Sequence, residues 1–124
     1  MKLPRPPVSL LVAILRIGAG LLFFEHGAQK LLGWFGAHSV VLASQMGLAG
    51  VLELFGGAMI VAGILTRPVA VVLLGEMLYA FSTAHMPRGG WPIENGGELA
   101  LLYALIFMVL AGYGPGTAAI DPKH

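Results

Sequence analysis

Apolar residues form four long runs along the chain, and short segments rich in glycine, proline and tryptophan separate them. Each run comes close to the ~20 residues that an α-helix needs to cross the hydrocarbon core of a bilayer. The runs predict helices over residues 9–32, 47–65, 68–85 and 95–113. We therefore expect an all-α integral membrane protein: a four-helix transmembrane bundle in which residues 1–124 form a single domain.

Two of the predicted connections carry residues that favour a membrane surface. Trp34 and Phe35 follow the first helix, and tryptophan is enriched where a membrane meets water. The segment 33–46 is too short to span the membrane and too apolar for a free loop, so we expect a short interfacial helix or a re-entrant piece. Residues 85–97 form a second interfacial segment, in which Trp91 is the anchor and glycine and proline break the helix.

Capping patterns predict where the last two helices begin. Thr66 is the expected cap of the third helix, with Pro68 in the first turn, where its missing amide hydrogen costs nothing. Asn95 and Glu98 have the spacing of a capping box at the start of the fourth helix.

Small residues mark the faces through which the helices should pack. Gly18 and Gly20 would let a neighbouring helix approach the first helix closely. Three glycines lie three or four residues from Glu53 and share its side of the second helix: Gly50, Gly56 and Gly57. We expect this face of small residues, which bears one acid, to pack against other helices.

The composition narrows the possible functions. The chain is 57% hydrophobic and 10% charged, whereas about a quarter of the residues in a soluble domain are charged. Its net charge of +1 provides no basic patch, so we expect membrane lipid and no nucleic acid among its partners. Because there is no cysteine, disulfides, thiolate metal sites and thiol redox relays are excluded. A redox role would need a bound cofactor or a partner protein.

The basic residues predict an orientation in the membrane. Lys2, Arg5, Arg67 and Lys123 fall on one side of the predicted bundle, whereas Lys30 and Arg88 fall on the other. Since basic residues are enriched in cytoplasmic connections, we expect both termini in the cytoplasm. Arg16 interrupts the first apolar run and no small-residue cleavage site follows, which favours a retained membrane helix over a signal peptide.

One glutamate stands in each predicted helix. Glu25 and Glu98 lie near the outer ends of their helices, and Glu53 and Glu76 lie deeper. Because a carboxyl group in the apolar region must be protonated or paired, the two deeper acids are the strongest functional candidates. The side chains that we assign to one ligand-binding pocket opening outward are Glu25, His26, Lys30, Glu53, Glu76 and Glu98.

Each of these residues also has a purely structural interpretation. Glu98 can serve only to cap its helix, and Glu53 and Glu76 can be polar contacts that hold helices together. His85 can simply lie at the water interface. Arg16 is best interpreted as a topology anchor or an internal ion-pair partner, on the opposite side of the first helix from Glu25.

The pattern does not favour a metal site. Di-iron bundle proteins use a Glu-x-x-His motif on two helices, and no glutamate here is followed by histidine at that spacing. We therefore expect no metal, with His26, Glu53 and Glu76 as the least poor ligands. The sequence identifies no catalytic residue, and no motif for flavin, haem or NAD is present.

A series of short motifs resembles the DoxX family of small membrane proteins. The series begins in the first helix with Arg16, Gly20 and the run His26-Gly-Ala-Gln-Lys-Leu-Leu-Gly-Trp-Phe-Gly36. It continues through Glu53-Leu-Phe-Gly-Gly57, Leu65-Thr-Arg67, Asn95-Gly-Gly-Glu98 and Gly114-Pro-Gly116, followed by Asp121. Two departures occur: the first loop lacks a Gly-Pro-Gly stretch, and Thr117-Ala-Ala119 stands where an Arg/aromatic pair is usual.

The resemblance implies a four-helix protein of the prokaryotic inner (plasma) membrane. Family members are associated with quinol or thiosulfate:quinone oxidoreductases, with oxidative-stress complexes and with quinone resistance. The resemblance thus implies an accessory component of a quinone-linked redox or oxidative-stress system. It leaves the cofactor unassigned, with a quinone as one option, and it leaves a soluble or membrane oxidoreductase and a second copy of the chain as options for partners. Two alternatives stay open: a noncatalytic scaffold that docks a soluble oxidoreductase, and a small-molecule or lipid carrier.

Overall fold

The computed structural model describes residues 3–34 and 44–122, and within these ranges it contains helices and connections but no strand. The helices are α1 (Val8–Leu32), α2 (Gln45–Ala62), α3 (Thr66–Ala80), the short α4 (Pro92–Asn95) and α5 (Glu98–Tyr113). The prediction of an all-α bundle is confirmed. The interfacial element predicted for 33–46 rests mainly on residues 35–43, which lie outside the described residues.

The third helix continues beyond its regular α-helical turns. A π-helical turn, Phe81–His85, and a 3-10 turn, Met86–Arg88, extend it. The hydroxyl groups of Ser82 and Thr83 each donate a hydrogen bond to the carbonyl oxygen four residues earlier. Such hydroxyl bonds compete with the backbone bonds of a helix and tend to bend it, which accounts for the wider turn here.

Three helical spans are long and apolar enough to cross a membrane within the described ranges: Val8–Leu32, Gln45–Ala62 and Thr66–Arg88. The fourth long helix, α5, is also apolar but has 16 residues, a length of about 24 Å. Large apolar side chains on all four helices are exposed, among them Leu10, Leu21, Leu48, Leu78 and Leu105. This outward apolar surface suits acyl chains rather than water, and the protein is a membrane protein.

Helices α1 and α2 pack with their backbones in contact. A Cβ atom at Gly20 would lie 2.9 Å from the backbone nitrogen of Val61, and one at Gly57 would lie 2.7 Å from that of Phe24. Only glycine allows this approach. The prediction of a close neighbour is thus correct for Gly20 but wrong for Gly18, which has no atom of another element within 4 Å because it faces outward.

Helices α3 and α5 form a second pair that packs through larger side chains. Leu73 of α3 and Phe107 and Leu110 of α5 belong to the buried core. Phe23 reaches this core from α1, and its ring meets that of Phe107 edge to face, with the ring centroids 4.9 Å apart. The bundle therefore consists of two helix pairs, α1–α2 and α3–α5, joined by aromatic contacts.

The chain after α5 folds back over the end of the bundle where α1 begins, which we call the terminal end. The Arg16 side chain is fully buried there. Its guanidinium group donates five hydrogen bonds to backbone carbonyl oxygens, those of Ile60, Val61, Pro115, Thr117 and Ala118. Arg16 was expected to be a topology anchor or an internal ion-pair partner. Its hydrogen bonds go to carbonyl groups at the end of α2 and in the tail, and the charge of Asp121 in the tail also acts on it.

The start of α3 is capped by the tail and not by Thr66. The first helical residue is Thr66 itself, and Leu65 precedes it in the left-handed region with φ 49°. The backbone N–H groups of Leu65 and Thr66 donate to the two carboxylate oxygens of Asp121, at 2.6 and 2.9 Å. The prediction that Thr66 caps α3 is wrong because an anion from the tail satisfies these donors.

The predicted capping box of α5 is also absent. The helix begins at Glu98 after Gly97, without a side-chain cap. Asn95 is buried, and its side chain accepts from the Gly97 amide at 2.8 Å and donates to the Gly89 carbonyl oxygen at 3.0 Å. Asn95 therefore braces the turn that leads into α5, which leaves Glu98 exposed at the first helical position.

Candidate functional site

A cavity of about 290 Å³ lies between the four long helices at the end remote from the termini, which we call the far end. Its volume is near the lower limit for small-molecule sites, about 300 Å³. Most of its lining is apolar. The polar or ionisable side chains that line this polar cavity are His26, Lys30, Glu53, Glu76, His85 and Tyr103.

An ion pair between α1 and α2 forms one wall of the polar cavity. The Lys30 ammonium group donates to both carboxylate oxygens of Glu53, at 2.8 and 2.7 Å. The Glu53 side chain is only 3% exposed, so its charge needs this partner. Lysine has three N–H donors, and two are used here, which leaves one that can donate to a molecule in the cavity.

Glu76 of α3 faces the same cavity without such a partner. Its carboxyl group lies close enough to that of Glu53 for the two groups to interact. Even so, neither oxygen atom of Glu76 makes a hydrogen bond of normal geometry within the described structure, although both oxygen atoms are buried. Buried polar groups are almost always hydrogen-bonded. Glu76 is therefore the group in this cavity that most clearly lacks a partner for a hydrogen-bonding ligand to supply.

His26 is held against Tyr103 in a defined orientation. Its Nδ1 atom lies 2.9 Å from the carbonyl oxygen of Leu22, and since a carbonyl only accepts, Nδ1 donates. In the neutral ring, Nε2 is then an acceptor. The imidazole packs edge-on against the Tyr103 ring, which in turn contacts Phe23, with centroid distances of 5.8 and 5.0 Å.

His85 reaches the polar cavity from the π-helical turn at the end of α3. Its Nδ1 atom lies 3.3 Å from the carbonyl oxygen of Asn95, and its ring lies against that of Phe81, with centroids 6.3 Å apart. The sequence indicates only that His85 lies near the water interface. Its position at the cavity depends on the π-helical turn and the Asn95 brace, which the sequence does not show.

The structure brings four of the six predicted pocket residues together: His26, Lys30, Glu53 and Glu76 all line the polar cavity. Glu25 and Glu98, both described, are exposed and do not line it. Glu25 precedes His26 by one residue, and successive residues of a helix point about 100° apart. Glu98 is the first residue of α5 and is exposed.

Tyr103 is the cavity residue that the sequence analysis overlooked. It is buried in α5 and meets the rings of Phe23, His26 and Phe107. A signal was available, because Tyr103 carries the only polar group within the apolar run 99–112. A tyrosine at such depth usually finds a polar partner for its hydroxyl group.

Among the described residues there is no group of three or more histidine, cysteine, aspartate or glutamate side chains placed to hold a metal ion. Two of the three residues considered as metal ligands already have other partners. Glu53 binds Lys30, and Nδ1 of His26 donates to the carbonyl oxygen of Leu22. The cavity instead combines hydrogen-bond donors, acceptors and aromatic rings. That combination suits an uncharged organic ring bearing carbonyl or hydroxyl groups.

Apolar helices of this length and number define a small polytopic membrane protein. The family model named DoxX matches residues 11–86, and the chain belongs to the DoxX family. The family resemblance seen in the sequence is thereby confirmed. The matched range includes every polar cavity residue except Tyr103.

Three relatives illustrate how the family is described. The chain is 38% identical over 119 residues to an uncharacterized protein of Haemophilus influenzae, which covers 90% of this chain and 89% of that one. It is 31% identical over 114 residues to the Bacillus subtilis protein named "Putative oxidoreductase CatD", with 88% and 83% covered. It is 29% identical over 132 residues to inner membrane protein YphA of Escherichia coli, with 94% and 91% covered. No solved structure matches the chain.

Proposed function

We propose that the polar cavity binds the ring of a quinone or quinol and that the protein is an accessory component of a quinone-linked redox or oxidative-stress system. The observation that carries the proposal is Glu76, whose buried carboxyl oxygens lack a partner beside a cavity that holds further donors and acceptors. A ligand that supplies hydrogen-bond donors there would satisfy a group that the protein leaves unpaired.

Both redox forms of such a ring find partners in the cavity. The remaining N–H of Lys30 and the hydroxyl of Tyr103 can donate to the carbonyl oxygens of a quinone. Glu76 and His26 Nε2 can accept from the hydroxyl groups of a quinol. The rings of Phe23 and Tyr103 provide apolar contact for the ring itself. The cavity volume suits a single substituted ring.

The proposed role is binding, with the electrons exchanged by a soluble or membrane oxidoreductase that works with this protein. The name of the Bacillus subtilis relative, an oxidoreductase, supports a redox context. The sequence also supports a redox partner protein, because the chain has no cysteine and so cannot carry electrons through thiol chemistry.

We also propose that the chain is a single domain of the prokaryotic inner membrane with both termini in the cytoplasm. The Escherichia coli relative is named an inner membrane protein, which supports this location. The basic residues of the sequence support the orientation: Lys2, Arg5, Arg67 and Lys123 fall on one side of the predicted bundle, and Lys30 and Arg88 fall on the other. An excess of basic residues favours the cytoplasmic side.

The test uses the protein in lipid nanodiscs and a dimethoxy-methyl-benzoquinone ring without a side chain, in its quinone and quinol forms. Retained ligand is measured by native mass spectrometry after gentle release. We expect wild-type protein to retain both forms and Glu76→Leu to weaken retention of the quinol about tenfold, because its hydroxyl group loses an acceptor. The absence of thiols protects the quinone from addition reactions during the measurement.

Glu98→Leu is the matched control, because Glu98 is exposed and does not line the polar cavity. It should retain both ring forms as wild type does. Since Glu76 makes no hydrogen bond of normal geometry within the described structure and lies close to the carboxyl group of Glu53, Glu76→Leu should also leave the melting temperature unchanged or raise it. Wild-type protein that retains neither ring form would contradict the proposed function.

A further inference from the structure

A second cavity, which we call the lateral cleft, lies between α2 and α3 beside the polar cavity. Its volume is about 380 Å³. Leu48, Leu52 and Val72 line it, together with Tyr79 and Thr83 toward the far end. Leu48, Val72 and Tyr79 are all more than half exposed, so the cleft opens on the outward surface of the helices, where acyl chains lie.

Only a thin partition separates the lateral cleft from the polar cavity. Four residues line both spaces: Met46, Ala49, Glu76 and Ala80. The two alanines have short side chains, and methionine is flexible enough to move aside. The α2 and α3 helices also pack less closely than the pairs α1–α2 and α3–α5. This boundary is therefore a thin and loosely packed wall of the polar cavity.

Glu76 is the one ionisable group in that partition. Its carboxyl group belongs to both spaces and has no hydrogen-bond partner in the described structure. A polar ring that passed from the cleft to the cavity would meet this group first. A hydrocarbon chain attached to the ring would remain among the apolar side chains of Leu48, Leu52 and Val72.

A hydrogen bond spans the cleft toward the far end. The Gln45 side chain donates to the Tyr79 hydroxyl at 2.9 Å and thereby connects the start of α2 to α3. The cleft is thus open toward lipid while this bridge spans its far end. That geometry favours molecules that arrive from within the bilayer over molecules that arrive from water.

We propose that the lateral cleft is the portal through which a ligand enters the polar cavity from the bilayer, and that its occupant is the alkyl chain of a membrane-soluble ligand. The proposal rests on the function proposed above and adds the ligand class: a single polar ring with one long hydrocarbon chain. Glu76 lines both the polar cavity, which would hold the ring, and the lateral cleft, which would hold the chain.

The test compares two probes, decylubiquinone and the same dimethoxy-methyl-benzoquinone ring without the decyl chain. Leu48→Trp narrows the cleft at one of the residues assigned to the chain, and Leu48 does not line the polar cavity. Ligand retention in nanodiscs is again measured by native mass spectrometry. We expect Leu48→Trp to lower retention of decylubiquinone about tenfold, since the chain loses its space, and to change retention of the bare ring less than about twofold.

Ala58→Trp is the matched control, because Ala58 is exposed on α2 and lines neither space. It should retain both probes as wild type does. Val72→Trp is a second blocking variant with the same expected result, used if Leu48→Trp does not fold.

The outcomes separate the two proposals. Selective loss of decylubiquinone in the blocked variants supports the portal. Equal retention of both probes, or equal loss of both, overturns the portal while the binding of the bare ring still supports the proposed function. Wild-type protein that retains neither probe overturns the proposed function, and the portal with it.

Discussion

Lys30 and Glu53 show how a full charge is kept at membrane depth. Glu53 lies on the glycine-rich face of α2, where α1 comes close enough for Lys30 to bind both carboxylate oxygens. Glu76 is the contrasting case, with the same functional group and no such partner. The carboxyl group of Glu53 is therefore part of the contact between two helices, whereas that of Glu76 is the one that we propose binds a ligand.

Removing one member of the pair should be more harmful than removing both. Lys30→Met leaves the buried Glu53 without its cation, and breaking a buried pair costs about 3 kcal/mol or more. We expect the double variant Lys30→Met/Glu53→Gln to recover a large part of this loss. The free energy of unfolding in detergent, measured for the two single variants and the double variant, checks the coupling. Additive effects would show that the pair contributes little.

The sequence predicts residue roles only where they depend on neighbours along one helix. It shows that His26 and Lys30 share a side, and both line the polar cavity. Glu25 and Glu98 were grouped with them because of depth alone, although depth does not decide where a side chain points. Tyr103 was overlooked because its place at the cavity depends on contacts with another helix. Its ring meets those of Phe23 and His26 of α1.

The helices were predicted well because a membrane span must be long, apolar and continuous. The predicted ranges 9–32 and 95–113 differ from α1 and α5 by at most three residues at each end. The capping residues could not be predicted, because α3 is capped by Asp121, 55 residues from Thr66 along the chain. Local patterns do not report a partner at that distance.

Two glycines of α1 provide a sharp test of helix packing. Gly20 lies against the backbone of α2, whereas Gly18, two residues away, faces open space. We expect Gly20→Ala to destabilise the protein by about 1–3 kcal/mol through overpacking. Gly18→Ala should be neutral or stabilising by up to about 1 kcal/mol, because alanine favours a helix. Unfolding in detergent measures both, and equal effects would contradict the packing described.

The two ends of the whole molecule differ in how tightly they are held together. The terminal end is closed by Arg16, the tail and Asp121, through hydrogen bonds among α1, α2, the start of α3 and the tail. The far end holds the polar cavity and the less closely packed boundary between α2 and α3. One end is therefore closed by hydrogen bonds, and the other contains the cavity that we propose as a ligand site.

This division predicts that stability and binding can be changed separately. Arg16→Gln removes most of the hydrogen bonds to five carbonyl groups at the terminal end. We expect the melting temperature to fall, by an amount equivalent to about 3 kcal/mol or more. Retention of the bare benzoquinone ring should stay within about twofold of wild type when measured below the new melting temperature. A parallel loss of binding would show that the two ends are coupled.

The buried guanidinium group also has a consequence for the order of assembly during synthesis. Arg16 is made early, but Pro115, which accepts from it, follows 99 residues later. Until that part of the chain leaves the ribosome, only two of the five carbonyl groups that Arg16 binds in the folded protein have been made, those of Ile60 and Val61. The tail therefore completes the hydrogen bonds of Arg16 only at the end of synthesis. An incomplete chain would display an unsatisfied cation within the bilayer, a feature by which the cell's proteases could distinguish it from the finished protein.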